Sequence, residues 1–340
     1  MKPTIICLTP MKNEGWIIQR FLRCTSTWAD YIVVFDQNSE DDSVKKAKEF
    51  EKVTVIHNQN VEFNDHFHWK ELLETGRKLP GENKVFFAID CDEFFTSESF
   101  DSPEFQTFIH SKPGSLMACM RSQVSPDFET YSEEVNFVVG FVDDGKSSIG
   151  DLSIKKLVHN IRLPFRSDDP TIYYCNEIKL MHYNVVDYKR LLSKLRWYQC
   201  FETTIKDKGR LEILEQYYVP DTFQAYWRER KTKPMPSNWL DGYKRLGIDM
   251  TSISSNSVYY WWDEKILNYF SEYGTEMFSR LNIWNFNWNH VATHFRNDKW
   301  IKADFKRSVL DKIYIRLFLI RKRTKSSLLI RGVDIFLSIL

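Results

Sequence analysis

Three carboxylates fall within four positions of the segment KVFFAIDCDEFF, which begins at Lys84: they are Asp90, Asp92 and Glu93. Side chains alternate along an extended chain, so Asp90 and Asp92 would point the same way. Two adjacent carboxylates repel one another unless a cation lies between them, and such hard oxygen ligands suit Mg²⁺ or Mn²⁺. The segment therefore predicts a divalent-metal site. The alternative is an acidic surface turn, which the two following phenylalanines disfavour.

The acids follow a short apolar run, Val85 to Ile89, that is bounded upstream by Gly81-Glu82-Asn83. Such a run is typical of a strand buried on both faces of a parallel sheet. Upstream, strand and helix patterns alternate, and the strands begin roughly 25–30 residues apart, as βαβ units require. The strands are predicted at Thr4–Leu8, Tyr31–Phe35 and Val53–His57. The helices are predicted after Asn13-Glu14 (with Ile17, Ile18, Phe21 and Leu22), after the polar cluster 36–43 to about Phe50, and around Trp69, Leu72 and Leu73.

This order predicts an α/β fold, a Rossmann-like doubly wound sheet with its loops at one edge. Open α/β sheets bind ligands at the carboxyl ends of their strands. Asp36 and Asp90 stand there and could accept hydrogen bonds from nucleotide hydroxyls. The chain has no GxGxxG motif and no Walker lysine motif, which argues against a dinucleotide-binding fold and a P-loop.

Taken together, the motifs TPMKNE, VVFDQNSEDDS and FAIDCDEF resemble those of family 2-type glycosyltransferases with a GT-A fold. The resemblance is closest to the branch whose acidic motif reads DxDEF and which later carries a His-Tyr pair, here His182-Tyr183. It covers about residues 4–200. It implies transfer of a sugar from a nucleotide-sugar donor, with inversion, and a Mn²⁺ or Mg²⁺ cofactor.

The resemblance also implies roles for individual residues. Asp90 would meet ribose or metal, Asp92 would bind metal, and His182 would complete the metal site. The alternative for His182 is a structural role. Nucleotide-sugar contacts are implied in the loops after the first two strands, at Thr9, Pro10, Glu14, Asp36 and Asn38; Asn38 replaces a glycine of the usual family motif, and Gln37 replaces its second acid.

Beyond the acidic motif, strands are predicted at Ser115–Met120, Asn136–Phe141 and Ser153–Val158, completing a mixed sheet. Lys155, on the last of these with Lys156 beside it, could contact the diphosphate or could simply be solvated. An inverting transferase needs a carboxylate to deprotonate the acceptor hydroxyl. The candidates for this base are Asp127, Glu129 and Glu177, and the choice among them stays open.

The chain after Asp187 is predicted to be helical and then rich in aromatic residues. From Tyr217 to Trp300 these could form a platform for an acceptor sugar or fill a core. The tail combines basic residues with apolar residues at helical spacing, which favours a helix on an anionic membrane over one packed against the domain. Predicted domains are 1–205 (GT-A catalytic), 206–304 (aromatic-rich helical, acceptor side) and 305–340 (membrane-associating tail).

Composition limits the class of protein. The net charge is +1, so no global field attracts nucleic acid. The six cysteines are scattered without a CxxC pair, no signal peptide is recognisable, and no apolar stretch of about 18 residues is present. These features predict a cytoplasmic protein with reduced thiols, with peripheral binding to the inner face of the membrane through the tail.

The leading hypothesis is therefore a metal-dependent glycosyltransferase acting on a glycan or lipid-linked acceptor in the synthesis of cell-surface polysaccharide or lipopolysaccharide. Two alternatives remain: a nucleotidyltransferase that makes nucleotide sugars, and a non-catalytic membrane scaffold with a GT-A-like fold. The first would need a Gly-rich basic loop after strand one, for which TPMKNEG is a poor match. The intact Asp90 and Asp92 disfavour the scaffold. A haloacid dehalogenase-type phosphatase is disfavoured because three strands precede the acidic motif.

Overall fold

The computed structural model describes residues 2–58, 65–149, 162–164, 171–206, 208–253, 257–296, 307–324 and 327–339. The chain forms two compact units, one of Met1–Asp187 with Arg230–Ser255 and one of Tyr188–Glu229 with Asn256–Leu340.

Within the described residues, a sheet of nine strands forms the centre of the first unit. Its strands are β1 (Thr4–Met11), β2 (Tyr31–Asp36), β3 (Val53–His57), β4 (Lys84–Ala88), β5 (Glu93–Phe95), β6 (Leu116–Val124), β7 (Thr130–Val142), β8 (Ile172–His182) and β9 (Thr232–Pro234). The order is β3-β2-β1-β4-β7-β6-β8-β5, with β9 paired to β7. The first four strands are parallel, and β7 is antiparallel to both β4 and β6. Consequently β6 and β8 run in the same direction as β4, and their carboxyl ends reach the same edge.

Helices cover both faces of this sheet because the buried strands are apolar on both sides. Successive residues of β1 point to opposite faces of the sheet: Cys7 belongs to the core on one face and Leu8 to the core on the other. The helices α1 (Ile18–Thr25), α2 (Ser43–Ala47) and α4 (Pro103–Ile109) contribute to the first core, and α3 (Asp65–Lys78) to the second. The predicted fold class, an α/β doubly wound mixed sheet, is confirmed.

Two local predictions are wrong. The helix after β2 ends at Ala47 rather than near Phe50. The chain at the acidic motif is also not extended: β4 ends at Ala88, and the amide of Glu93 donates to the carbonyl of Asp90 at 2.9 Å, which closes a turn. Alternation along a strand therefore does not place the carboxylates of Asp90 and Asp92. The strand predicted at Ser153–Val158 lies outside the described residues.

Strand β8 contains a three-residue excursion. Cys119 of β6 pairs with Cys175, but the next residue, Met120, pairs with Lys179. The three intervening residues have no partner on β6, and their backbone amides donate to the carboxylate of Glu104 in α4, at 2.8, 3.0 and 3.4 Å. Beyond the excursion the pairing resumes and ends with His182 opposite Gln123.

The predicted domain boundaries differ from the units of the structure. Residues 230–255, including helix α8 (Asn238–Arg245), belong to the sheet unit because Trp239 and Tyr243 are buried in its core. The phenol of Tyr243 donates to the carbonyl of Phe95 at 2.9 Å, and that of Tyr183 donates to the carbonyl of Met250 at 3.1 Å. The helix predicted after Asp187, by contrast, packs in the second unit.

The described part of the second unit is helical. Its helices are α5 (Tyr188–Ile205), α6 (Arg210–Tyr217), α7 (Phe223–Arg228), α9 (Trp261–Tyr273), α10 (Trp288–His294), α11 (Val309–Arg323) and α12 (Ser327–Ile339). Most aromatic residues of the predicted acceptor platform fill its core instead: Trp262 and Trp288 are buried there, and Phe270 stacks on Trp284 with centroids 5.0 Å apart. Within the described residues, no helix is long and apolar enough to cross a membrane.

Candidate functional site

Polar residues of the first unit gather where its parallel strands end. Asp36 is the last residue of β2, His57 the last of β3, and His182 the last of β8. The acidic turn follows β4 directly, and it is joined to β8 because Glu93 of β5 pairs with His182. Residues distant in sequence therefore meet at one edge of the sheet.

Glu93 lies at the centre of this edge and is fully buried. Its carboxylate oxygens accept hydrogen bonds from Arg162 at 2.5 Å, from Arg121 at 3.3 Å and from the amide of Asp90 at 2.9 Å. Burial alone would raise the pKa of the Glu93 carboxyl, but the charges of Arg162, His182 and Arg121 outweigh it and lower this pKa to about 2. Glu93 is thus a buried anion that orients two arginines.

One of these arginines also neutralises the first acid of the motif. Arg162 donates from its second terminal nitrogen to Asp90 Oδ2 at 2.5 Å, and its guanidinium lies 4.6 Å from the centre of the Phe137 ring. Two carboxylates and an aromatic face position this guanidinium. The charge of Asp90 is thus balanced by Arg162.

The second acid of the motif faces histidine instead. Asp92 Oδ2 lies 3.8 Å from His182 Nε2, and His182 Nδ1 lies 3.1 Å from Glu134 Oε2. Burial lowers the pKa of His182, but the hydrogen bond to Glu134 and the charge of Asp92 outweigh it, so the pKa is raised. Arg121 completes the group, with Nε 2.8 Å from Glu134 Oε2 in an ion pair whose angle does not suit a hydrogen bond.

We expect the substitution Glu134→Gln to lower the pKa of His182, because it removes the anion that contacts Nδ1. Titration of the His182 ring protons by NMR, in metal-free protein, measures this change. Glu133→Gln is a matched control, since Glu133 is the neighbour on β7 and pairs with Lys233 at 2.8 Å. Equal His182 pKa values in Glu134→Gln and the unsubstituted protein would contradict the assigned contact.

The end of β1 packs directly on the acidic turn. Thr9 is fully buried, with Oγ1 3.4 Å from Cys91 Sγ, and the Cys91 thiol donates to the carbonyl of Pro10 at 3.4 Å. Glu14 lies in the following loop, where its carboxylate accepts from Trp16 Nε1 at 2.7 Å. These contacts fix the position of the TPMKNE loop relative to Asp90 and Asp92.

Asp36 links the loop after β2 to β3. It is 2% exposed, accepts from the amide of Ser39 at 3.0 Å, and lies 3.1 Å from His57 Nδ1. Asn38 has a left-handed backbone with φ of 60°, a conformation that asparagine tolerates better than most residues and glycine adopts freely. Asparagine at this position is therefore compatible with the turn that follows β2. The loops after β1 and β2 are joined by Asn13, whose Oδ1 accepts from the amide of Glu40 at 2.7 Å.

A divalent ion fits this edge only in a particular way. Among the described residues, no three acidic, histidine or cysteine side chains surround one point. Asp92 and His182 do face each other, and the hydrogen bond that His182 Nδ1 donates to Glu134 orients the ring so that Nε2 points at the Asp92 carboxylate. Mg²⁺ is commonly held by one or two carboxylates together with substrate phosphates. The residues therefore suit an ion that arrives with a diphosphate, with Asp90 available if Arg162 moves.

The other predicted site residues are not part of this cluster. Asp127 and Glu129 are exposed in the β6–β7 loop, where Asp127 Oδ1 accepts from the amide of Glu129 at 3.0 Å. This loop reaches the same edge, since Phe128 packs on Tyr183 with ring centroids 5.4 Å apart. Glu177 is exposed within the excursion of β8, away from that edge. Lys155 and Lys156 lie outside the described residues.

Sequence reasoning did not identify the two arginines of the site. Arg121 had one signal, a charge directly after the apolar residues of β6, which implies a partner for the charge. Arg162 had none, because its partners are about 70 residues away in the chain. Glu93 was noted only as the third acid of the motif.

Comparison with known proteins gives distant similarities only. No protein-family model and no curated protein matches the chain. Two structures of glucosyl-3-phosphoglycerate synthase from Mycobacterium tuberculosis, one with Mn²⁺, uridine diphosphate and phosphoglyceric acid and one with Mg²⁺ and uridine diphosphate, are 18% identical over 35% of this chain, with TM-scores of 0.28 and 0.29. The matches cover 43% and 44% of those chains, so this chain spans less than half of their length.

A structure of 4-diphosphocytidyl-2C-methyl-D-erythritol synthase is 14% identical over 42% of this chain and 76% of that chain, with a TM-score of 0.29. Overlays at this level establish neither a family nor an activity. Any functional assignment must therefore depend on the residues of this chain.

Proposed function

We propose that the protein is a metal-dependent glycosyltransferase that uses a nucleotide-sugar donor. The observation that supports this most directly is the meeting of Asp36, the Asp90–Asp92 turn and His182 at the carboxyl edge of one sheet. Such an edge is where open α/β sheets bind nucleotides. The three sequence motifs that resemble family 2-type glycosyltransferases with a GT-A fold are the motifs that form this edge.

In this proposal, the buried carboxylate of Asp36 accepts hydrogen bonds from the nucleoside. Thr9 and Pro10 at the end of β1, and Glu14 in the loop that follows, lie against the same nucleoside. Asp92 and His182, with Asp90, hold Mn²⁺ or Mg²⁺ together with the diphosphate. The ion would offset the charge that develops on the leaving diphosphate. Arg162, now paired with Asp90 and Glu93, is near enough to supply a second positive charge at the same place.

The acceptor must bring a hydroxyl to the sugar carbon, and a carboxylate must take its proton if the reaction inverts configuration. Asp127 and Glu129 remain candidates because the β6–β7 loop ends at the same edge, whereas Glu177 is disfavoured by its place in the excursion of β8. We propose a glycan or lipid-linked acceptor, in cell-surface polysaccharide or lipopolysaccharide synthesis at the inner face of a membrane.

The test is a screen of nucleotide sugars by thermal unfolding, with and without Mn²⁺. A ligand that binds only the folded protein raises the melting temperature, by an amount equivalent to about 2.7 kcal/mol at a hundred times its dissociation constant. We expect one nucleotide sugar to raise it, and the rise to need the metal.

Nucleoside triphosphates are included in the same screen. Stabilisation by a triphosphate and by no nucleotide sugar would instead favour a nucleotidyltransferase that makes nucleotide sugars. No stabilisation by any nucleotide, with the protein folded, would contradict the proposed site and leave a non-catalytic scaffold.

A further inference from the structure

Helix α11 has two apolar sides, and only one of them is buried. Ile315 and Phe318 pack in a cluster with residues of α6 and α12. On the other side, Val309, Ile313 and Ile320 are 71%, 39% and 52% exposed. Their spacing of four and seven residues places them along one line of the helix surface. We refer to these three residues as the apolar stripe.

Helix α12 has the same arrangement. Val333 and Leu337 are buried in the cluster with α11, whereas Leu328, Ile335 and Phe336 are 79%, 60% and 61% exposed. Single exposed apolar side chains are common on proteins and need no explanation. Each of these two neighbouring helices exposes several large apolar residues, and exposure on this scale indicates an interaction site.

Positive charges border the apolar stripe. Lys312, Arg316 and Arg323 are exposed, and each follows a stripe residue by three positions, which places it beside that residue on the helix. We refer to them as the cationic border. Among the described residues, no carboxylate pairs with any of the three, so their charge is available to a partner.

The two acids of these helices do not reduce that charge. Asp311 pairs with Arg280 at 2.9 Å, and Asp334 pairs with Arg321 at 2.5 Å. Arg321 also contacts Glu215 of α6 and is thereby part of the packing within the unit. Arg321 thus holds the helices together, whereas the cationic border faces outward.

We propose that this side of α11 and α12 docks on an anionic lipid bilayer, with the apolar stripe in the headgroup region and the cationic border against lipid phosphates. An apolar face flanked by exposed cations is the pattern of helices that lie in the plane of such a surface. A second copy of the chain is a poorer occupant, because two facing copies would bring like charges together. Docking requires neither nucleotide nor catalysis, so its test is separate from that of the proposed transferase activity.

The test is cosedimentation of the full chain with phosphatidylcholine vesicles, with and without phosphatidylglycerol. We expect binding only to vesicles with the anionic lipid, and weaker binding as salt is raised. The triple variant Lys312→Gln, Arg316→Gln, Arg323→Gln should weaken binding about 100-fold, since each cation near such a surface contributes about a five-fold effect. A triple variant of Lys48, Lys231 and Lys265 to Gln removes the same charge from exposed positions elsewhere and should bind normally.

A second variant, Ile313→Ser with Ile320→Ser, should weaken binding even at low salt, because it removes apolar contact and leaves the charge unchanged. All substituted side chains are exposed, so the variants should melt as the unsubstituted protein does. Absence of vesicle binding by the unsubstituted protein, or equal binding by the two triple variants, would overturn the proposal. So would self-association without vesicles that the serine variant abolishes, since that result would identify the face as an interface between copies.

Discussion

Glu93→Gln is expected to destabilise the protein by about 3–5 kcal/mol, because it removes one partner of a buried ion-pair group and leaves the charges of Arg162 and Arg121 without their central anion. Amide and carboxylate have nearly the same shape, so the loss would be electrostatic rather than a loss of packing. The free energy of unfolding of a domain is about 5–15 kcal/mol, so this one substitution would remove a large share of it.

Chemical denaturation measures the effect as the free energy of unfolding. Glu51→Gln, at an exposed carboxylate, is the matched control and should change the stability by less than about 0.5 kcal/mol. A loss in Glu93→Gln no larger than in the control would show that the arginines do not depend on this anion.

The same group predicts a pH dependence. The pKa of Glu93 is lowered in the folded protein, to about 2, from about 4.3 in an unfolded chain. Its stabilising effect is therefore complete above the unfolded value and is lost as pH falls from about 5 towards 2. In Glu93→Gln this part of the acid dependence should disappear, so the stabilities of the two proteins should converge as the pH falls.

Asp92→Asn is expected to reduce transfer activity by about 10²–10³-fold while leaving the protein folded. The Asp92 side chain is partly exposed, and no arginine among the described residues pairs with it. Replacing its carboxylate by an amide therefore leaves no buried arginine without a partner. Asp92 faces His182, however, in the position from which a metal ion and a diphosphate would be held. Removing its charge should therefore affect chemistry far more than stability.

Two measurements distinguish a catalytic effect from a structural one. The melting temperature of Asp92→Asn without ligands should be close to that of the unsubstituted protein, while its stabilisation by Mn²⁺ with the nucleotide sugar should be lost. Glu51→Gln should retain both that stabilisation and the activity. Full activity in Asp92→Asn, with the nucleotide sugar still bound, would remove this residue from the proposed site.

The sequence was most informative where a local pattern determines the structure. The strands that end at Asp36 and just before Asp90 are apolar runs bounded by turn residues, and their predicted positions are close to the observed ones. Because these strands were predicted to be parallel, both acids were predicted to lie at the same edge of the sheet. The predicted conformation of the acidic motif was wrong. The motif forms a turn of four residues in which the Glu93 carboxylate accepts a hydrogen bond from the amide of Asp90, and no periodicity in the sequence reveals this bond.

The remainder depends on contacts between distant parts of the chain. Arg162 is recognisable as important only once β4 and the segment containing it are folded together. The packing of Trp239 and Tyr243 in the core of the sheet unit could likewise not be predicted from the sequence, since the apolar residues of a helix do not specify which core they enter. The position of His182 followed from family resemblance and not from its own surroundings in the sequence.

The excursion in β8 acts as a spacer that sets the reach of that strand. If Asn176, Glu177 and Ile178 instead paired with β6 in continuous register from Cys175, Lys179 would lie opposite Gln123 and His182 would lie about 10 Å past its present position, at about 3.3 Å per residue. Three is also an odd number, so the histidine would turn to the opposite face of the sheet. The way the chain pairs at this remote bend, which Glu104 secures, therefore determines which residues of β8 reach the edge.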